Sequence, residues 1–345
     1  MTLAPVTPNW DGFVRNLRRQ GTPARVCYFE HGIADNILAQ LYERLEVAAT
    51  LPAAVRGDPR LRRQAIHRAL GQELFRIFPP GARMSAPRRQ GQWSEEGRGA
   101  ITSWGDFERF PWLRAANADL ALLDFYDRHG DPEMRVFHVL DLWETTRDLF
   151  GCETFCYMLY EDPALLEAVF AKIGEFNLAI TRALCDHDCF GALYLADDLG
   201  HKSGLMISPA AVRRFILPWH ERLAAVARAR GKLVLFHSCG QMYDLLDDYL
   251  TRVRIDAKHS FEDNVLPVTE AKRRFGTRLS LLGGMDVDLL ARADEATVRA
   301  RTRELLGVCH PGGGYCLGSG NWVTEYVRLD NYLAMLDEAR RFPGA

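Results

Sequence analysis

The sequence predicts an α/β protein folded as a (β/α)8 TIM barrel with an N-terminal extension. Three observations carry this expectation. Short apolar runs alternate strictly with helix-periodic stretches from residue 192 to the C-terminus, the pattern of parallel strands joined by right-handed crossovers. Polar residues gather at or just past the C-terminal ends of those runs, where a closed barrel builds its sites. A chain of 345 residues is long enough for one such barrel, and no linker or internal repeat divides it, so residues 1–345 are expected to form one domain.

The first strand is expected over Arg25–Gly32, after an amphipathic helix over residues 10–20. Helices are expected over residues 36–48 and 60–74. Residues 75–112 break the periodicity with Pro, Gly and polar residues and are expected to be an irregular excursion or a lid over the barrel mouth. A helix over 113–129 and a strand over Val136–Leu140 follow. Glu161-Asp-Pro starts a long helix, with Asp162 as cap and Pro163 at the first helical position. The remaining strands are expected at Ala192–Ala196, Leu233–Phe236, Ile255–Lys258, Leu279–Leu282 and Gly314–Leu317.

The composition excludes several function classes. Lys+Arg number 43 against 45 Asp+Glu, a net charge of -2, which argues against nucleic acid or an anionic membrane surface as the main partner. No apolar run approaches the roughly 20 residues a transmembrane helix needs, and residues 1–9 lack a signal-peptide pattern. The eight scattered cysteines suit reduced thiols, and hence a cytoplasmic protein, better than a disulfide framework. Cys152, Cys156, Cys185 and Cys189 fall at helical spacing and are expected to pack.

The chemistry concentrates in Leu233-Val-Leu-Phe-His-Ser-Cys-Gly240. On extended backbone, residues two apart share a face, so His237 and Cys239 point the same way at a strand end. Imidazole and thiolate are zinc donors, and Cys316, in another apolar run, is the candidate third ligand. Three ligands with one open position describe a catalytic zinc site. Buried packing of Cys316 is the plainer alternative. Asp197 and Asp198 end a strand together; alternation turns only one to the mouth and leaves the other to cap a turn. Asp286, after Gly283-Gly284, is either a site residue or an N-cap. Arg83, Arg88, Arg89 and Arg98 either meet an anionic substrate or form a solvated face, the commoner role. No glycine run matches a nucleotide-binding motif.

The runs Phe236-His-Ser-Cys-Gly-Gln241, Asp256-Ala-Lys-His-Ser260, Leu282-Gly-Gly-Met-Asp286 and Pro311-Gly-Gly-Gly-Tyr-Cys-Leu-Gly-Ser-Gly-Asn321 resemble the uroporphyrinogen decarboxylase superfamily, as does Tyr160-Glu-Asp-Pro163. The resemblance is specific from about residue 155 onward. It implies the (β/α)8 fold with an N-terminal extension. True decarboxylases of that superfamily use an arginine-rich first-strand motif and a late histidine. Here the first strand ends Phe29-Glu-His-Gly32, and Ser319 stands at the histidine's place. The resemblance is closer to the zinc- and cobalamin-dependent methyltransferase branch, whose H-x-C and distant Cys match His237, Cys239 and Cys316. It implies a zinc methyltransferase in which a thiol accepts methyl from a corrinoid protein, carrying methylcobalamin, or from a methylated small molecule. Glu30 or Asp197 is then expected as fourth ligand or proton acceptor, and His259 or Asp286 as orienting group. A homodimer is a further expectation. The alternatives are a metal-free carboxy-lyase using Asp197 or Asp198 with the loop arginines, and a non-catalytic ligand- or corrinoid-binding barrel.

Overall fold

In the computed structural model, which describes residues 3–85 and 98–343, eight parallel strands form one curled sheet among the described residues. They are β1 (Cys27–Tyr28), β2 (Leu74–Arg76), β3 (Arg135–Leu140), β4 (Phe190–Ala196), β5 (Leu233–His237), β6 (Ala257–His259), β7 (Ser280–Leu282) and β8 (Tyr315–Leu317). The ladder runs from β2 through each strand in turn to β8 and then to β1, so the last strand pairs with the first. Side chains show how far the sheet curls. Phe29, just past β1, stacks on Phe137 of β3 at 5.5 Å and meets Tyr194 of β4 at 5.8 Å across the interior.

Alternation sorts each strand into two faces. Leu74, Phe137, Val139, Ala192, Tyr194, Ala196, Leu233, Leu235, Ala257, Leu282 and Cys316 fill the interior. Their outward neighbours, such as Leu193, Leu195, Val234 and Phe236, join a larger core against the helices. This is the layered packing of a (β/α)8 barrel, and it confirms the expected fold.

Seven strands fall where the sequence places them, within two or three residues at either end except that β1 stops at Tyr28, four residues short of Gly32. The expected helix over 60–74 ends earlier, at Leu70, where Gly71 takes a left-handed conformation, and Leu74–Arg76 becomes β2. Three residues are too few to show a period of their own, and here they follow a helix directly.

The N-terminal extension closes one end of the barrel. Helix Trp10–Leu17 is capped by the Asn9 side chain, which accepts from the Gly12 amide at 2.8 Å. It inserts Phe13 and Leu17 into the interior cluster. Asn16 donates to the Tyr315 carbonyl at 2.8 Å and accepts from the Gly314 amide at 2.9 Å, at the start of β8. Because these contacts are with the N-terminal ends of strands, the opposite end is left as the mouth. Within the expected excursion over 75–112, Trp104–Arg109 is a short helix, and the Gly99 and Ile101 amides donate to the Phe150 and Leu149 carbonyls. Arg88 and Arg89 lie outside the described residues.

Candidate active site and metal centre

At the mouth lies a cavity of about 820 Å³, lined by groups from β2, β4, β5 and the segments after β1, β3, β6, β7 and β8. His237 ends β5, and the chain then turns through Ser238, Cys239 and Gly240. Two features fix this turn. Gly240 has φ +69°, and a β-carbon there would meet the Gly200 backbone at 2.5 Å. The buried Lys258 ammonium donates to the carbonyls of Ser238 (3.1 Å), His259 (3.1 Å) and Ser260 (2.7 Å). Burial lowers its pKa to about 8, and three carbonyls satisfy its three protons.

The turn brings three donor atoms together. His237 Nε2 is 3.5 Å from Cys239 Sγ and 3.3 Å from Asp198 Oδ1, and the Cys239 amide donates to the same Asp198 oxygen at 2.8 Å. All three donors lie within 4.8 Å of one another. Neighbouring ligands around a tetrahedral zinc, at bonds of about 2.0–2.3 Å, are separated by roughly 3.3–3.6 Å, so the set fits such an ion. Ser260 Oγ (3.4 Å) and Asn321 Nδ2 (3.3 Å) donate to the Cys239 sulfur, as groups supporting a thiolate do. Burial and the Asp198 carboxylate push the Cys239 thiol well above its ordinary pKa, so only a cation would hold it deprotonated at neutral pH. Asp198 is itself held low despite its burial by His237 and the Cys239 amide.

The hydrogen bonds behind His237 assign its tautomer. The Ser319 carbonyl can only accept, so His259 Nε2, at 3.3 Å, carries the proton. Burial and its cationic neighbours keep His259 neutral, so its Nδ1 is bare and accepts from His237 Nδ1–H at 2.8 Å. In the neutral form that a metal ligand takes, His237 would then carry its proton on Nδ1 and turn the Nε2 lone pair to the side of Asp198 and Cys239. Gly283 permits the crossing: a β-carbon there would lie 2.2 Å from the Ser319 carbonyl oxygen and 3.0 Å from His259.

Two sequence expectations need correction. Cys316 does not join His237 and Cys239: among the described residues, the groups whose donors all lie within 4.8 Å are Asp198–His237–Cys239 and His31–His237–His259. Cys316 faces the interior near the closed end, beside Cys27 in register and 3.5 Å from Asn16 Nδ2 of the plugging helix. Strand tilt is the reason. The ladder from His237 through His259 and Leu282 to Cys316 crosses three strand spacings. At about 4.8 Å each and a tilt of about 36°, that is roughly 8 Å along the barrel axis.

Asp197 does not reach the cavity either. It is buried and faces the helices, where it accepts from the amides of Leu142 (3.0 Å), Trp143 (2.9 Å) and Glu144 (3.2 Å) and pairs with His220 Nε2 at 2.9 Å. It caps helix Trp143–Phe150. Alternation from Tyr194 and Ala196 through to Asp198 was the signal that separates the two aspartates.

Other expected residues spread around the mouth. Glu30 is buried behind Ser319, accepting from its amide at 3.0 Å, and burial raises its carboxyl to about 8 against the pull of that bond. Asp286 lines the cavity and caps helix Val287–Arg292 by accepting from the Asp288 amide at 2.7 Å. Arg83 lines the cavity paired with Asp141, whereas Arg98 is exposed and bonded to Thr102. His31, Arg76 and Glu144 also line the cavity and were not singled out from the sequence. His31 stacks on His237 at 4.5 Å between ring centres. Burial, with Asp198 nearby, raises the Glu144 carboxyl to about 8.

Comparison with known proteins adds relatives. The sequence model of the uroporphyrinogen decarboxylase (URO-D) family matches residues 143–342. A methylated-thiol–coenzyme M methyltransferase of Methanosarcina mazei is 29% identical over 196 residues, 56% of this chain and 49% of that protein. A uroporphyrinogen decarboxylase of Thioalkalivibrio sulfidiphilus is 26% identical over 191 residues, 53% of this chain and 51% of that one. The chain thus spans about half the length of the curated relatives it matches. No described helix is long and apolar enough to cross a membrane.

Proposed function

The chain belongs to the uroporphyrinogen decarboxylase family, and from that premise we propose that it is a zinc-dependent methyltransferase that methylates a small thiol. The observation carrying this reading is the convergence of Asp198 Oδ1, His237 Nε2 and Cys239 Sγ at the barrel mouth. Zinc, when bound there, would supply the Lewis acidity that keeps a substrate thiol deprotonated at neutral pH.

The chain's own groups do the rest. Ser260 and Asn321 hold the Cys239 sulfur, and Asp198 holds the Cys239 amide as well as offering a ligand oxygen. His259, anchored by the Ser319 carbonyl, orients His237. The substrate's sulfur–carbon bond forms as the bond from methyl to its donor breaks, the electron pair leaving with the donor. The donor is a methylcobalamin carried by a corrinoid protein, or a methylated small molecule; the name of the methyltransferase relative supports a methylated thiol. A reduced cytoplasm suits the unpaired cysteines. Metal-free decarboxylation through Asp197 is disfavoured, because that carboxylate is spent on a helix end.

Metal analysis of the purified chain tests the reading. Wild type and Cys316→Ala are expected to hold close to one zinc per chain. Cys239→Ala and Asp198→Asn are expected to hold less than a tenth of that and to lose methylation of thiols by methylcobalamin. Negligible zinc in all four proteins would overturn it.

A further inference from the structure

The closed end of the barrel holds two thiols that the mouth does not use. Cys27 of β1 and Cys316 of β8 are direct register partners on neighbouring parallel strands. Both turn into the barrel interior, among Phe13, Leu17 and Phe29, and both are free. Paired strands lie about 4.8 Å apart, within the roughly 4.4–6.8 Å between α-carbons that a disulfide spans. A second cavity, of about 240 Å³, lies beside the plugging helix and reaches Cys27, with Asn16 and Arg25 in its wall. Cys27 lines that cavity and Cys316 does not, so a small solute entering it meets Cys27 first.

The two sulfurs are chemically unlike. A hydrogen bond from Cys316, with the Arg25 guanidinium and Asn16 nearby, holds the Cys27 thiol below its ordinary pKa despite burial. Burial and the neighbouring Cys27 push the Cys316 thiol well above its own. Asn16 Nδ2 also donates to the Cys316 sulfur at 3.5 Å. Other buried cysteines differ from Cys27: burial pushes the thiols of Cys185 and Cys309 up, and Cys189 donates to the Leu123 carbonyl at 3.4 Å. A more acidic thiol that a solute can reach, beside a less acidic one that it cannot, is the arrangement of an attacking and a resolving cysteine.

We infer that Cys27 and Cys316 are a peroxide-reactive thiol pair that closes to a disulfide joining the last strand of the barrel to the first. The Cys27 sulfur attacks one oxygen of a hydroperoxide. A sulfur–oxygen bond forms, the oxygen–oxygen bond breaks, and the leaving oxygen takes the proton that Cys27 gave up. The Cys316 sulfur then attacks the sulfenic sulfur of Cys27. The sulfur–sulfur bond forms and the hydroxyl leaves as water with the Cys316 proton. The two thiols lose two electrons and two protons in all, and hydrogen peroxide, reduced by them, becomes two waters. β1 pairs with β8 through Cys27–Cys316 and Tyr28–Leu317, so the bond staples a short ladder. It also closes a loop of most of the chain, the case in which a cross-link restricts the unfolded state most. The pair lies at the opposite end from His237 and Cys239, and the inference does not rest on the zinc reading.

Hydrogen peroxide treatment of the reduced full chain tests it. After a few equivalents of peroxide, unfolding and alkylation, peptide mass mapping without reductant is expected to find Cys27 joined to Cys316 in most molecules. Dithiothreitol is expected to restore both thiols. In Cys316→Ala, dimedone is expected to capture a sulfenic acid at Cys27. In Cys27→Ala, Cys316 is expected to oxidise at least tenfold more slowly than the pair does in wild type. The oxidised wild type is expected to unfold at a higher urea concentration than the reduced protein, a gain absent from Cys316→Ala. If Cys27 and Cys316 of wild type both remain open to alkylation after peroxide, or if either bonds to a third cysteine instead, the inference is overturned, whether or not the variants fold. An unchanged or lower urea midpoint once the bond has formed overturns its role as a staple.

Discussion

Glu30 shows how burial writes a pH dependence into one residue. Its folded pKa, about 8, exceeds the ordinary value of 4.5 because the carboxyl is desolvated. The folded state therefore binds more protons than the unfolded one between these values, and stability falls as pH rises from about 4.5 to 8. Glu30→Gln, which cannot ionise, is expected to melt higher than wild type at pH 8 and nearly alike at pH 4.5, by up to a few kcal/mol. Thermal unfolding at the two pH values checks this; parallel shifts at both would contradict it. The neighbouring residues divide by legibility. His237 and Cys239 were readable as a pair because extended backbone repeats every two residues. Cys316 was not, since its height in the barrel depends on tilt accumulated across strands, which no local pattern records.

At the scale of the element, one carboxylate joins a strand to a helix. Asp197 leaves β4 on the outer face and binds the amides at the start of helix Trp143–Phe150, complementing both unsatisfied N–H groups and the helix dipole. Asp197→Ala would strand those amides and His220, and is expected to cost about 2–4 kcal/mol in denaturant unfolding while leaving zinc content unchanged. The adjacent Asp198→Asn should do the reverse, losing metal with little loss of stability. One residue of register separates a structural role from the proposed ligand's.

For the whole molecule, the barrel is closed at one end by the chain's own N-terminal helix and open at the other. Phe13 is 1% exposed and stacks on Trp10 at 5.5 Å while filling the interior from below. Phe13→Ala is expected to cost about 3–5 kcal/mol, because the rigid strand walls cannot collapse into the space. Unfolding midpoints in urea measure the loss, and metal content should not change, since the plug and the mouth are at opposite ends. A loss of zinc in this variant would mean that the two ends are mechanically coupled.

The sequence by itself determined the alternation of strand and helix, the barrel it implies, the amphipathic helix near residues 10–20 and the pairing of His237 with Cys239. Each is a periodicity or cap that neighbouring residues impose on one another. Only the tertiary structure decided that Asp198 joins that pair, that Cys316 stays near the closed end, and that Arg76 on a three-residue strand enters the cavity. Those outcomes follow from strand tilt and from which face of each strand turns inward, and both are set when distant parts of the chain pack into one curled sheet.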